Sequence, residues 1–406
     1  MTSRERIIAA INHREPDRVP VDIGAFTNIH VDLYYNICRN LNLDFLPPKV
    51  YDLFSMHAVP ELSILQWFGS DCIGLPNPVD MFGNERGDMR IWKNHRGNDC
   101  LIPSSVYLYR DERNYSVITD QNGHILLEMP PDGEYFDRVL PTGMSANIEF
   151  TDLPKFRKTL PVMSDDMLKI LQDRAKFLYE NTELSIFGCF ADKALFSPGL
   201  LANHTFTEWM CLMLIEPEYC KDVLGIYVDW YKEKLTGYLQ AVGKYIDVIL
   251  LSTADFGSQK AEFFSPEVFK ELYVGPYSEM NGFVHKHSKV KTFFHSCGSI
   301  KKLFPYLIEA GVDIINPIQT AAAGMDPAEL KKKYGDKIVF WGGGIDTQKT
   351  LPHGTPEDVR LEVKQRMKDL APGGGFVFSP EHCLQSDIPF ENLSAMVEAV
   401  REYRLC

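Results

Sequence analysis

An imidazole and a thiol stand two positions apart in the segment Phe293-Phe294-His295-Ser296-Cys297-Gly298. In extended backbone, side chains at i and i+2 leave the same face, so His295 and Cys297 converge wherever this segment is a strand. Nitrogen and sulfur donors together suit zinc. No C-x-x-C pair occurs anywhere in the chain, so the usual grammar of a closed four-ligand structural site is missing. Three protein ligands and one open position would be the catalytic arrangement. Glu381-His382-Cys383 offers the third ligand. Cys383 supplies a second sulfur, and His382 and Glu381 are alternatives from the same turn. The competing reading is a half-buried imidazole beside inert, apolar thiols.

Other polar residues fall where a site would need them. Asp255 and Gln259, in Ala254-Asp255-Phe256-Gly257-Ser258-Gln259, follow a predicted strand into a loop. We read them as substrate-contacting, catalytic candidates. Asp346 follows Gly342-Gly343-Gly344 and either contacts substrate or caps the next helix. The triplets 342–344 and 373–375 lack the spacing of a dinucleotide or phosphate loop and read as tight turns. His285 and His287 flank Lys286 near a helix end, on different faces, as a solvated terminus would have them.

The elements that must position these residues alternate. Candidate strands are Val19–Phe26, Asp71–Leu75, Leu184–Phe190, Ile246–Ser252, Val290–His295, Val312–Asn316, Ile338–Gly342 and Gly375–Pro380. Several are continuously apolar, as strands buried on both faces are. Between them the helix punctuation is clear. Thr2 and Glu5 have capping-box spacing, Ser265-Pro266-Glu267 reads as N-cap, N1 proline and first-turn acid, and Asp326-Pro327 and Thr355-Pro356 repeat the pattern. Gly311 and Gly335 fall at C′ positions. Eight strands with intervening helices predict a (β/α)₈ TIM barrel formed by residues 1–406 as one domain. The rhythm breaks between Met81 and Thr142, where Asn122-Gly123 between two short apolar runs predicts a type I′ hairpin. We read 81–142 as an antiparallel β insertion after the second strand, lying over the barrel as a flap. In a barrel, His295, Cys297, Asp255 and Cys383 all sit at C-terminal strand ends, the face that carries active sites.

The 406 residues are 45% apolar and 24% charged, which fits an ordinary globular protein. The formal net charge of −13 argues against nucleic acid, whose phosphates need clustered lysine and arginine. No apolar run approaches the roughly 20 residues that span a bilayer, so no membrane association is expected. The N-terminus lacks the apolar core of a secretion signal. Nine irregularly spaced cysteines read as reduced thiols in a cytoplasmic protein.

Taken together, these segments resemble the uroporphyrinogen decarboxylase superfamily, which includes zinc- and corrinoid-dependent methyltransferases. The opening Arg4-Glu5-Arg6 helix running to Pro16-Asp17-Arg18-Val19-Pro20 is similar to the methyltransferase-like members. So are Asp255–Gln259, His295–Ile300, Gly324-Met325-Asp326-Pro327, Phe340–Thr347 and Pro389-Phe390-Glu391-Asn392-Leu393. The resemblance implies a zinc site on the pattern H-x-C plus a cysteine on the last strand, matched by His295, Cys297 and Cys383. It also implies methyl transfer between a small substrate and the cobalt of a corrinoid (cobalamin) protein partner. The small molecule would be a methyl donor, with a methoxylated compound (O-demethylation) favoured, or a thiol acceptor. The alternatives are a decarboxylase-type lyase and a non-catalytic scaffold. True decarboxylases carry an Arg-Gln-Ala-Gly-Arg segment after the first strand, where this chain reads Asp22-Ile23-Gly24-Ala25-Phe26. Lys193 is the one cation that the sequence places near the predicted mouth.

Overall fold

The computed structural model describes residues 1–43, 47–79, 87–138, 148–191, 196–198 and 201–405. Seven parallel strands form one curled sheet in strict sequence order. They are β1 (Cys72–Leu75), β2 (Ser185–Gly188), β3 (Val248–Ser252), β4 (Lys291–His295), β5 (Ile314–Asn316), β6 (Val339–Trp341) and β7 (Phe376–Val377). Residues 19–23 join its two edges. Val21 bridges Phe378 in parallel, Phe378 N donates to Pro20 O, and on the other side Asp71 N donates to Val21 O. Seven of the eight predicted strands thus form, and the first, Val19–Phe26, is present only as the single bridge at Val21, through which the segment closes the barrel.

Alternation along the strands divides two apolar layers. Val248, Leu250, Phe293, Ile314, Val339, Trp341 and Val377 face inward. Ile249, Leu251, Phe294, Ile315 and Phe340 face outward, against the helices. The inner layer includes Ile7, Ala10 and Ile11, so helix Ser3–Ala10 stoppers the N-terminal end of the barrel. Its Thr2–Glu5 capping box is formed. Fully buried Asp71 fastens this end, accepting from Arg6 and Arg18 at 2.7 Å each.

The other helix signals are met by Ser265, Asp326 and Thr355 as N-caps, each followed by proline. Gly311 has the left-handed φ of +77° expected at C′. Gly335 does not. It is itself the C-cap in right-handed conformation, with its N–H on Lys331 O.

Between β1 and β2 the structure has antiparallel pairs. Met89–Lys93 pairs with Asp99–Pro103, and a four-stranded sheet comprises Tyr107–Arg110, Ser116–Thr119, Ile125–Met129 and Asp137–Arg138. The ends of the predicted insertion, Met81 and Thr142, lie outside the described residues. The Asn122-Gly123 turn is a hairpin, but not type I′. Within it only Gly123 has positive φ, at +84°, and Gly123 N donates to Asp120 O. The Asp120 carboxylate accepts from the backbone of Asn122 and His124, so the tip is a right-handed turn followed by one left-handed glycine. No described helix is long and apolar enough to cross a membrane, and no disulfide joins the described cysteines.

Asp313, just before β5, ties a helix end to two strands. Its carboxylate accepts from His285 at 2.6 Å, from Lys291 at 2.8 Å and from Thr292 N at 2.9 Å. Burial alone would raise its pKa, yet these donors hold it at about 2. A carboxylate depressed from about 4 contributes stability that is complete above the unfolded value and is lost as pH falls towards 2. Asp313→Asn is therefore expected to cost about 2 kcal/mol at pH 7 and markedly less near pH 3. Urea unfolding at the two pH values measures the difference, and equal losses would contradict this account.

Candidate metal and substrate site

At the end of β4 the chain turns sharply. Cys297 N donates to Asp255 Oδ1 at 2.7 Å and Gly298 N to Gln319 Oε1 at 2.6 Å, while Phe256 N donates to Ser296 Oγ at 2.9 Å. The loops after β3 and β4 thus hold each other. Gly298 has φ +88°, and a Cβ there would collide with the carbonyl of Gly257, so this close approach requires glycine.

His295 is oriented from behind. Fully buried Asn316, at the end of β5, donates its amide nitrogen to Trp341 O at 2.7 Å. Its oxygen therefore faces His295 Nδ1, at 2.6 Å. That contact puts the imidazole proton on Nδ1 and leaves the Nε2 lone pair facing forward. Nε2 lies 3.5 Å from Cys297 Sγ and 3.8 Å from Asp255 Oδ1. A tetrahedral zinc with bonds of about 2.0–2.1 Å to nitrogen and about 2.3 Å to sulfur spans an N···S edge of about 3.5–3.6 Å. The pair therefore fits zinc in both donor chemistry and separation. Asp255, His295 and Cys297 together form a group whose ligand atoms lie within 4.8 Å of one another.

The last strand's loop faces the same space. His295, Asn316, Pro380, Glu381, His382 and Cys383 line a cavity of about 280 Å³ with Phe26, Thr27, Asn28, Asp52, Ser55, His57 and Thr253. Leu384 N on Asn28 O and Glu381 N on Ile345 O hold the 381–384 segment in place. Removal from water raises the Cys297 thiol well above its ordinary value, and the negative charges of Asp255, Cys383 and Glu381 raise it further. The Cys383 thiol is pushed up to about 12 chiefly by burial. Buried Glu381 is raised to about 7, and accepts from Thr320 Oγ1. Arg366 reaches Glu381 through the Thr320 hydroxyl, and the two thiols, held protonated beside these carboxylates, are ligands whose ionisation a bound cation would favour.

Below the mouth the barrel is packed with rings. Phe26 lies 5.2 Å from the His295 ring and 4.9 Å from Phe293, which contacts Phe187 at 4.9 Å and Trp341 at 5.6 Å. Trp341 Nε1 donates to Asp22 at 2.8 Å, and burial raises this carboxyl to about 6.

The structure thus brings His295, Cys297 and Asp255 together and puts Cys383 on the cavity His295 lines. Gln259 is exposed, and its side chain reaches Gln348 at 3.4 Å. Asp346 caps, accepting from Gln348 N and Lys349 N. Lys193 lies outside the described residues. Sequence reasoning missed Asn316 and His57. Asn316 had a signal, being the polar end of an apolar strand beside β4, whereas His57 sits in an irregular stretch without pattern.

A second group of ligand types, His30, Asp32 and Glu134, lies nearby, but a guanidinium already serves it. Arg96 reaches Asp32 at 3.5 Å, Ser386 at 2.9 Å and also Glu134, and Ser386 donates to Glu134 at 2.6 Å. This network ties the antiparallel segments to the loop after Cys383.

Comparison with known proteins accords with this architecture. Residues 200–403 match the family model "Uroporphyrinogen decarboxylase (URO-D)". A uroporphyrinogen decarboxylase of Pseudoalteromonas translucida is 33% identical over 76 residues, 19% of this chain and 21% of that protein. Another, of Vibrio campbellii, is 23% identical over 294 residues, 70% and 76% of the two chains. The first of these matches spans only about a fifth of the relative's length. The solved structure of a methyltransferase from Methanosarcina mazei superposes with a TM-score of 0.59 at 14% identity, over 99% of both chains; it shares the fold. With half its length matched by the family model, the chain belongs to the uroporphyrinogen decarboxylase (URO-D) family.

Proposed function

We propose that the protein is a zinc-dependent methyltransferase of this family. It moves a methyl group between a small substrate and the cobalt of a corrinoid carried by a partner protein, in the cytoplasm. The observation that carries this reading is the His295 Nε2–Cys297 Sγ pair at 3.5 Å, aimed by Asn316. The methyltransferase of similar fold supports it. His295, Cys297 and Cys383 would hold the metal, with Asp255, Glu381 and His382 around it. Zinc bound there supplies Lewis acidity towards a thiol or an ether oxygen.

The chain's own residues do the rest. Asn316 fixes the His295 tautomer. Asp255 holds the Cys297 amide, and so the loop on which the thiol sits. The Phe26–Phe293 rings keep water from below. Residues 1–406 act as one barrel, with 81–142 as a flap beside the mouth where the corrinoid docks. Donor-side transfer, from a methoxylated compound to cobalt, is favoured because the flap can enclose a larger substrate.

Free cobalamin can stand in for the partner. Zinc-loaded protein mixed with cob(I)alamin and a methoxylated arene should give methylcobalamin, seen by its absorption spectrum, faster than a protein-free control. Demethylation of methylcobalamin by thiols, without activity towards ethers, would reverse the direction. Silence in both assays would count against the reading altogether.

A further inference from the structure

The antiparallel segments between β1 and β2 reach the loop that carries Cys383 through one guanidinium, that of Arg96. It stands on the turn Asn94-His95-Arg96-Gly97-Asn98, between the paired strands Met89–Lys93 and Asp99–Pro103. That turn is ordered on its own account. Gly97 N donates to Asn94 O at 3.0 Å and Asn98 N to Asn94 Oδ1 at 2.9 Å. The side-chain amides of Asn94 and Asn98 both donate to Asp32 Oδ1 at 2.7 Å. The turn is thereby pinned to the first turn of helix Val31–Asn40.

From this base Arg96 reaches three groups. Its Nε lies 3.5 Å from Asp32 Oδ2, and its Nη2 donates to Ser386 Oγ at 2.9 Å and also to Glu134. Ser386 closes the circuit by donating to Glu134 Oε2 at 2.6 Å. Ser386 stands three residues after Cys383. Between them Leu384 is laced to the neighbouring strand, its N–H on Asn28 O and its carbonyl on His30 N, at 2.9 Å each. His30 in turn donates from Nε2 to Glu134 O at 3.2 Å. Gln385 Nε2 donates back to Cys383 O at 3.4 Å, so a shift at Ser386 is passed to Cys383. A lone exposed ion pair holds little. Here three groups share one guanidinium on a turn already fixed, so little entropy is lost in holding them.

We propose that Arg96 is a positioning residue of the metal site, holding the Cys383 loop through Ser386 so that metal binding and order in the antiparallel insertion reinforce each other. The inference rests on the zinc reading of His295, Cys297 and Cys383, and it gives the insertion a part in that site. Such coupling is reciprocal. Whatever the insertion adds to metal affinity, bound metal must add to the order of the insertion.

Two measurements test this without substrate or corrinoid. Zinc-loaded protein mixed with an excess of chelating dye gives the rate of metal release. Hydrogen exchange of amides 94–99 and 133–136, with and without zinc, gives the order of the insertion. Arg96→Ala should release zinc about tenfold faster, the lower end of the range for groups that hold a metal ligand from behind. Ser386→Ala should do nearly as much, and the double variant no more than Arg96→Ala alone, because both cut one link. Zinc should slow exchange at these amides in the wild type and leave it unchanged in Arg96→Ala. Unchanged release from Arg96→Ala, multiplied effects in the double variant, or wild-type amides indifferent to zinc would each overturn the proposal. Should Arg96→Ala fail to fold, Ser386→Ala and the wild-type exchange still decide it. A wild type that takes up no zinc removes the metal reading and this inference with it, whereas a zinc-bearing wild type whose insertion ignores the metal removes only the role of Arg96.

Discussion

Replacing Cys297 with serine is expected to lower bound zinc from about one ion per chain to a small fraction of that, because one of three ligands and its charge disappear. Cys383→Ala should do the same, since it deletes the second sulfur. Neither change should unfold the protein. Both side chains are only half-buried at the mouth, whereas the inner layer of Phe293, Trp341 and Val377 that holds the barrel lies below them. Metal analysis after gel filtration, alongside circular dichroism, reads both quantities. Unchanged zinc in the two variants would remove the proposed site. Loss of zinc only on mutating Cys297 would reassign the third ligand to Asp255, Glu381 or His382, all of which stand around the same pair.

The protein is also expected not to decarboxylate uroporphyrinogen, although the relatives described above carry that name. A polycarboxylate must meet fixed cations in a dry cavity, since each unpaired buried carboxylate costs several kcal/mol. Here the described lining has none, and contributes Asp52 and Glu381 instead. After the first strand the chain reads Asp22-Ile23-Gly24-Ala25-Phe26 without arginine. Asp22 is spent internally, accepting from Trp341 Nε1 and Ala25 N. The net charge of −13 adds repulsion at longer range, which salt screens beyond about 8–10 Å. Anaerobic incubation with uroporphyrinogen, followed by chromatography for lost carboxylates, should show no turnover. A rate on the order of 1 per second would restore the decarboxylase reading.

The barrel was legible because its strands are short apolar runs whose inner and outer faces are both buried, as Val248–Leu251 shows. Capped helices were legible because Thr2, Ser265, Asp326 and Thr355 do their work within three residues. His295 and Cys297 could be paired in advance because strand geometry sends i and i+2 the same way. Relations across the chain were another matter. Asn316 meets His295 only through strand neighbours, and His57 meets the mouth through a ladder with His30 and a tie to the segment before Asp137. Gln259 illustrates the same limit, since the contact of its side chain with Gln348 joins two distant loops. The hairpin tip was misassigned because Asp120's own carboxylate, not the Asn-Gly pair, sets its backbone.

The ring-packed floor beneath His295 has a kinetic consequence. Phe26, Phe187, Phe293 and Trp341 close the interior, and helix Ser3–Ala10 stoppers the far end. Among the described residues the cavity is therefore closed from below, and a molecule resting on that floor lies deeper than anything docked across the mouth. In the proposed reaction the small reactant must be aboard before the bulky corrinoid protein arrives, and its demethylated remnant can leave only after that protein departs. Such nesting dictates a compulsory-order sequence through a ternary complex, with the macromolecular reactant second to bind and first to dissociate.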